Sequence, residues 1–86
     1  MAYVPTALDH CLAAELDHAR AMLEAMGDQL AFDGQVVAEQ GQALQAVDIV
    51  GQMLGHIANV VRAADWRIAI DRIGMCELKA RLAGGA

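Results

Sequence analysis

Residues 44–61 carry the most regular pattern in the chain and read LQAVDIVGQMLGHIANVV. On a helical wheel with about 100° per residue, the apolar residues of this segment cover about half of the circumference. These residues are Ala46, Val47, Ile49, Val50, Met53, Leu54, Ile57, Val60 and Val61. The pattern predicts an amphipathic helix over about residues 35–63, because Asp33 is a favourable N-cap in the preceding FDG turn.

One helix is predicted on each side of this segment. Apolar residues recur at helical spacing through about residues 6–31, opposite a charged side, which indicates an amphipathic first helix. A third helix over about residues 66–83 follows a second N-cap, Asp65, and is apolar on two sides. We therefore expect an all-α fold in a single domain, residues 1–86. The architecture is a helical hairpin plus a third helix, with two chains forming a homodimeric helical bundle.

The composition fits a small all-helical protein with 86 residues, of which 57% are hydrophobic and only 3% aromatic. A core built from such small side chains favours self-association. The net charge of −5 lacks the basic footprint of a nucleic-acid-binding protein, so no nucleic-acid partner is expected. The N-terminus has no signal-peptide pattern, and the least charged run, residues 49–61, is too short and polar to cross a membrane. We expect a cytoplasmic protein with no membrane partner.

Neither the cysteines nor the histidines form a recognisable metal or redox pattern. Cys11 and Cys76 are 65 positions apart among apolar neighbours, which predicts ordinary buried thiols. His10, Glu15 and His18 lack the helical spacing at which ligands converge on one ion, so no metal site is expected.

The polar side of the second helix differs from an ordinary solvated surface, which would carry Lys and Glu. Instead it has carboxamides, one acid and one imidazole, with two glycines beside them. Its members are Gln45, Asp48, Gly51, Gln52, Gly55, His56 and Asn59. Glycine costs about 1 kcal/mol relative to alanine inside a helix. Two glycines on one side therefore indicate the close approach of another backbone.

Asp48 and Gln52 are four residues apart, so they lie one above the other on the helix. A carboxylate can hold a cation such as a lysine ammonium. A carboxamide one turn away can orient a water by donating and accepting hydrogen bonds. This pair suits hydrolysis of a phosphoryl group, a reaction that depends on positioning and electrostatics more than on covalent chemistry. An ordinary surface hydrogen bond between the two side chains explains the same spacing.

The run DIVGQ at residues 48–52, followed by apolar Met53 and Leu54, resembles the active-site segment of CheZ. CheZ is the phosphatase family of chemotaxis response regulators, and the resemblance covers residues 43–54. It implies a hairpin that dimerises into a four-helix bundle. It also implies that Gln52 orients the water that attacks the aspartyl phosphate of a receiver domain, and that Asp48 contacts a receiver lysine. The chain would need no cofactor of its own, because the receiver supplies the magnesium.

The resemblance and the unusual polar side together predict Gln52 and Asp48 as catalytic residues of a response-regulator phosphatase. The predicted partner-binding residues are Gln45, Gly51, Gly55, His56 and Asn59.

Two other functions remain open. A small acidic helical dimer can be a non-enzymatic adaptor, chaperone or anti-regulator that binds another protein through its second or third helix. His56 can instead be the phosphate acceptor of a histidine phosphotransfer module. However, the Lys-Gly that usually follows such a histidine is missing here. The phosphatase and the adaptor differ in one requirement, because a phosphatase needs the carboxamide of Gln52 and an adaptor needs only the surrounding surface.

Overall fold

The structure, a computed structural model, describes residues 4–85 and is 85% helical, with no strand in that range. These residues form four helices. They are α1 (Ala7–Ala31), α2 (Gly34–Arg62), α3 (Trp66–Asp71) and α4 (Cys76–Gly85). The all-α fold and the long α1–α2 hairpin are confirmed. Residues 1–3 and 86 of the predicted domain lie outside the described part, in which no helix is long and apolar enough to cross a lipid bilayer.

Side-chain caps define the start of the first three helices. The Thr6 hydroxyl accepts a hydrogen bond from the Asp9 N–H at 3.1 Å, and the Asp9 carboxylate accepts one from the Thr6 N–H at 2.9 Å. Asp33 and Asp65 each accept two backbone N–H bonds from the first turn of α2 and α3. Both predicted Asp N-caps are therefore confirmed, and each satisfies donors that a helix N-terminus leaves unpaired.

The prediction of one continuous helix over residues 66–83 is wrong, because this segment is divided into α3 and α4. Gly74 lies in the break, and glycine is a poor helix former. The neighbouring Ile73 is only 6% exposed, so the turn between the helices buries an apolar side chain. An ion pair between Lys79 Nζ and Asp71 Oδ1, at 3.4 Å, links the two short helices.

Small residues and an ion pair between the helices contribute to the α1–α2 interface. Ala13 and Ala58 are almost completely buried, at 1% and 0% exposure. Arg62 Nη2 of α2 lies 2.6 Å from Asp17 Oδ2 of α1. Further along, Gly27 of α1 faces Val47, and Gly51 and Gly55 of α2 face side chains of α1. Small residues let the two helices approach closely along this line.

The leucines of α1 and several large apolar residues of α2 lie on one side of this interface. In each helix, these residues are reached by turning away from the interface in the same direction about the helix axis. Because the two helices are antiparallel, such residues lie on the same side of the hairpin. We call this surface the apolar hairpin face. Its members are Leu12, Leu16, Leu23, Met26 and Leu30 of α1 and Val50, Leu54, Ile57 and Val61 of α2. Leu12, Met26 and Val50 remain 48%, 46% and 45% exposed, so the fold of one chain leaves much of this face uncovered.

The described chain is elongated and has a small core. Its radius of gyration is 15.3 Å and its extents are 52 × 26 × 16 Å, whereas a compact domain of this length has a radius of gyration of about 12 Å. The buried apolar residues are Ala13, Ala58, Ile70, Ile73 and Leu78. The prediction of buried thiols is wrong, since Cys11 and Cys76 are both exposed. Cys11 lies on the outer side of α1, because Ala13 occupies the interface.

Candidate functional site

Asp48 and Gln52 form a hydrogen-bonded pair halfway along α2. The Gln52 Nε2 donates to Asp48 Oδ2 at 3.0 Å, and both residues are exposed. The bond uses one N–H of the carboxamide, which leaves the second N–H and Oε1 for another ligand such as a water. The predicted arrangement of a carboxylate beside a carboxamide is therefore present on an accessible surface.

An open groove runs beside this pair, on the side of the hairpin opposite the apolar hairpin face. We call it the polar groove. It has a volume of about 300 Å³ and is lined by Asp17, Arg20 and Glu24 of α1 and by Gln52, Gly55, His56 and Asn59 of α2. Four of the seven residues predicted for the site thus share one cavity, because α1 supplies the opposite wall.

The remaining predicted residues lie elsewhere. Asp48 lines a neighbouring cavity of about 180 Å³ together with Glu24 and Asp28. Gln45 is exposed and lines neither cavity. Gly51 is buried against α1 rather than exposed in the groove, and its assignment to partner binding stays a prediction. Its nearest neighbours on α1 are the side chains of Glu24 and Arg20.

The charged residues of α1 in the groove were missed by reasoning on α2 alone. Arg20 Nη1 lies 3.3 Å from Glu24 Oε1 and Arg20 Nε lies 4.0 Å from Asp17 Oδ1. Asp17 also pairs with Arg62 across the interface. The spacing of these α1 residues at positions 17, 20 and 24 places them on one side of the helix, which is the available sequence signal. Nothing in the sequence identifies the facing residue of α2.

His56 and Asn59 connect the polar groove to the end of the hairpin. Both also line a second cavity, of about 400 Å³, whose other wall includes Ala69 of α3 and the next two residues after α3, Arg72 and Ile73. His56 is half-buried between these cavities. It is therefore less accessible than the Asp48–Gln52 pair, although it opens onto the same groove.

The two glycines of α2 leave different amounts of room. A Cβ atom on Gly51 would lie 3.8 Å from Glu24 Cγ, an ordinary van der Waals distance. A Cβ atom on Gly55 would lie 3.2 Å from Arg20 Cδ, closer than most such contacts. The prediction that another backbone approaches these glycines is wrong, because their nearest neighbours are side chains of α1, in particular the stem of Arg20.

Replacing Gly51 by alanine is expected to stabilise the hairpin by about 0.5–1 kcal/mol, because alanine favours the helix and the site has room for a methyl group. Gly55→Ala is the matched control and is expected to gain less, since the Arg20 side chain must move. Urea unfolding followed by circular dichroism measures both. A loss of stability in Gly51→Ala would mean that α1 lies closer to α2 than the structure places it.

No family model, curated protein or solved structure matches this chain. Within residues 4–85, no group of three or more His, Cys, Asp and Glu side chains is placed to hold a metal ion. We therefore infer a function from the geometry of the polar groove and of the apolar hairpin face.

Proposed function

We propose that this chain is a small cytoplasmic regulatory protein that removes the phosphoryl group from the receiver domain of a signalling partner. The observation that carries the proposal is the exposed Asp48–Gln52 pair, at 3.0 Å, midway along a helical hairpin. The pair also lies within the segment that resembles CheZ.

In this reaction Gln52 holds the attacking water through its free N–H and Oε1. The water oxygen forms a bond to phosphorus, and the bond from phosphorus to the receiver's aspartyl oxygen breaks with its electron pair. The products are the receiver carboxylate and inorganic phosphate, which keeps both protons of the water. The magnesium belongs to the receiver, and Asp48 pairs with a lysine of the receiver.

The protein is proposed to act as a homodimer that joins two apolar hairpin faces. The accessible surface of the chain is 6096 Å², whereas a compact monomer of 9.1 kDa exposes about 4,900 Å². The excess of roughly 1,200 Å² is comparable with the area that one partner contributes to a stable protein interface. The polar groove lies on the opposite side of each hairpin, so dimerisation leaves it open to a receiver.

A non-enzymatic function is the second candidate, and the uncovered apolar hairpin face supports it. An adaptor, chaperone or anti-regulator can bind an amphipathic helix of another protein on that face. In that case the Asp48–Gln52 hydrogen bond is a surface contact worth a few tenths of a kcal/mol.

The first test is to add the protein to phosphorylated receiver domains and follow the loss of phosphate over time. The expected result is faster dephosphorylation of at least one receiver, with inorganic phosphate as the product. If no receiver loses its phosphoryl group faster than it does without this protein, the phosphatase proposal is wrong and a non-enzymatic adaptor function is favoured. If phosphate moves onto this chain instead of into solution, His56 is the expected acceptor, and the protein is a phosphotransfer module.

A further inference from the structure

We infer that Arg20 is a further catalytic residue of the proposed reaction and donates its guanidinium N–H groups to the phosphoryl oxygens. The inference deepens the proposed function and rests on it. Arg20 is on α1, outside the segment that resembles CheZ.

Arg20 and Gln52 belong to the two facing helices of the hairpin. Both residues line the polar groove. The Arg20 stem crosses α2 at Gly55, where a Cβ atom would lie 3.2 Å from Arg20 Cδ and 3.5 Å from Arg20 Nε. Because Gly55 lies three residues after Gln52, it is one helical turn away on the same side. The missing side chain of Gly55 thus leaves room for Cδ and Nε of Arg20 against α2.

The hydrogen bonds of Arg20 are incomplete, unlike those of Arg62. Arg62 Nη2 donates to Asp17 at 2.6 Å and Arg62 Nε donates to the Ala58 carbonyl at 3.2 Å. Arg20 Nη1 donates to Glu24 at 3.3 Å, but Arg20 Nε is shielded from solvent and has no hydrogen-bond partner within the described residues. A shielded donor without a partner carries an energetic cost. Because Nε is closed off from solvent, an anion in the groove would bind the Nη nitrogens of Arg20, whose side chain is 40% exposed as a whole.

The chemistry of phosphoryl transfer needs such a group. Negative charge is spread over the phosphoryl oxygens in the transition state, and positioned cations stabilise it. Gln52 is neutral, while Asp17 and Glu24 are negative. Arg20 is the one Lys or Arg side chain that lines the polar groove as the structure describes it. A guanidinium also matches the geometry of phosphoryl oxygens better than an ammonium does.

The inference is tested by measuring kcat and KM for receiver dephosphorylation with Arg20→Met and Arg20→Lys. Methionine keeps an unbranched apolar stem over Gly55 but removes the charge. We expect Arg20→Met to lower kcat roughly 10²-fold with a much smaller change in KM. This is the effect of removing a positioned donor that stabilises charge in the transition state. Arg20→Lys should recover part of kcat, because it restores the charge without the planar fork.

Arg62→Met is the control for a structural role, since it removes a guanidinium of the same interface that already has its partners. It should lower the unfolding midpoint and leave kcat close to that of the wild type. The inference is overturned if Arg20→Met keeps wild-type kcat, or if Arg62→Met, with an equal drop in unfolding midpoint, loses as much kcat as Arg20→Met. A wild-type protein without phosphatase activity overturns the proposed function itself, and this inference with it.

Discussion

Replacing Gln52 by alanine is expected to slow receiver dephosphorylation by this protein at least about a hundredfold, because the water loses the carboxamide that positions it. The fold should be unaffected. Gln52 is exposed and its hydrogen bond to Asp48 is an i,i+4 surface contact, worth about 0.2–0.5 kcal/mol. The measurement is kcat on a phosphorylated receiver under saturating conditions, with helicity recorded for the same samples.

α2 contains a matched control for this substitution. Gln35 Nε2 donates to Glu39 Oε1 at 3.3 Å, so the same type of i,i+4 pair occurs in the first turn of the helix. Gln35→Ala removes an equivalent surface hydrogen bond away from the polar groove. It should keep wild-type kcat. Equal losses in the two variants, or no loss in either, would contradict the role assigned to Gln52.

The sequence predicted the hairpin because its signals are local. Asp33 and Asp65 cap the helices they precede, and the apolar periodicity of α1 and α2 needs no knowledge of distant residues. The break at Gly74 was missed because apolar periodicity continues across it on both sides. A single glycine lowers helix propensity by about 1 kcal/mol. Burial of Ile73 in the turn depends on tertiary packing.

Only the part of the candidate site that depends on local signals could be predicted from the sequence. Asp48 and Gln52 lie on one helix, so their spacing alone places them in contact. The wall formed by Arg20 and Glu24 depends on the register between two helices, and periodicity within one helix does not specify that register. Gly51 was assigned to a partner because an unusual glycine signals a close neighbour without identifying it, and the neighbour proved to be α1.

Placing a charge on the apolar hairpin face is expected to convert the proposed dimer into monomers. Val50 is 45% exposed in the single chain and belongs to that face on α2. In Val50→Glu, the symmetry of a dimer would bury two unpaired carboxylates. An unpaired buried charge costs several kcal/mol, and about 2.8 kcal/mol already weakens association a hundredfold. Sedimentation across a range of protein concentrations measures the change.

Gln45→Glu is the matched control, because it introduces the same charge one and a half turns away on an exposed position outside the face. It should leave self-association unchanged. Monomeric wild-type protein at every concentration would contradict the dimer and leave the apolar hairpin face for a helix of another protein. A Val50→Glu variant that still dimerises would place the interface elsewhere.

Thermal unfolding is an independent test of self-association through the apolar hairpin face. The described chain buries few apolar residues, and none of its large side chains is fully buried, so the proposed second copy is expected to supply much of the stability. Binding to the folded state alone makes stability depend on concentration. The wild-type melting midpoint should therefore rise with protein concentration, and so should that of Gln45→Glu. The midpoint of Val50→Glu should be lower and independent of concentration, because the monomer has no partner to cover its leucines.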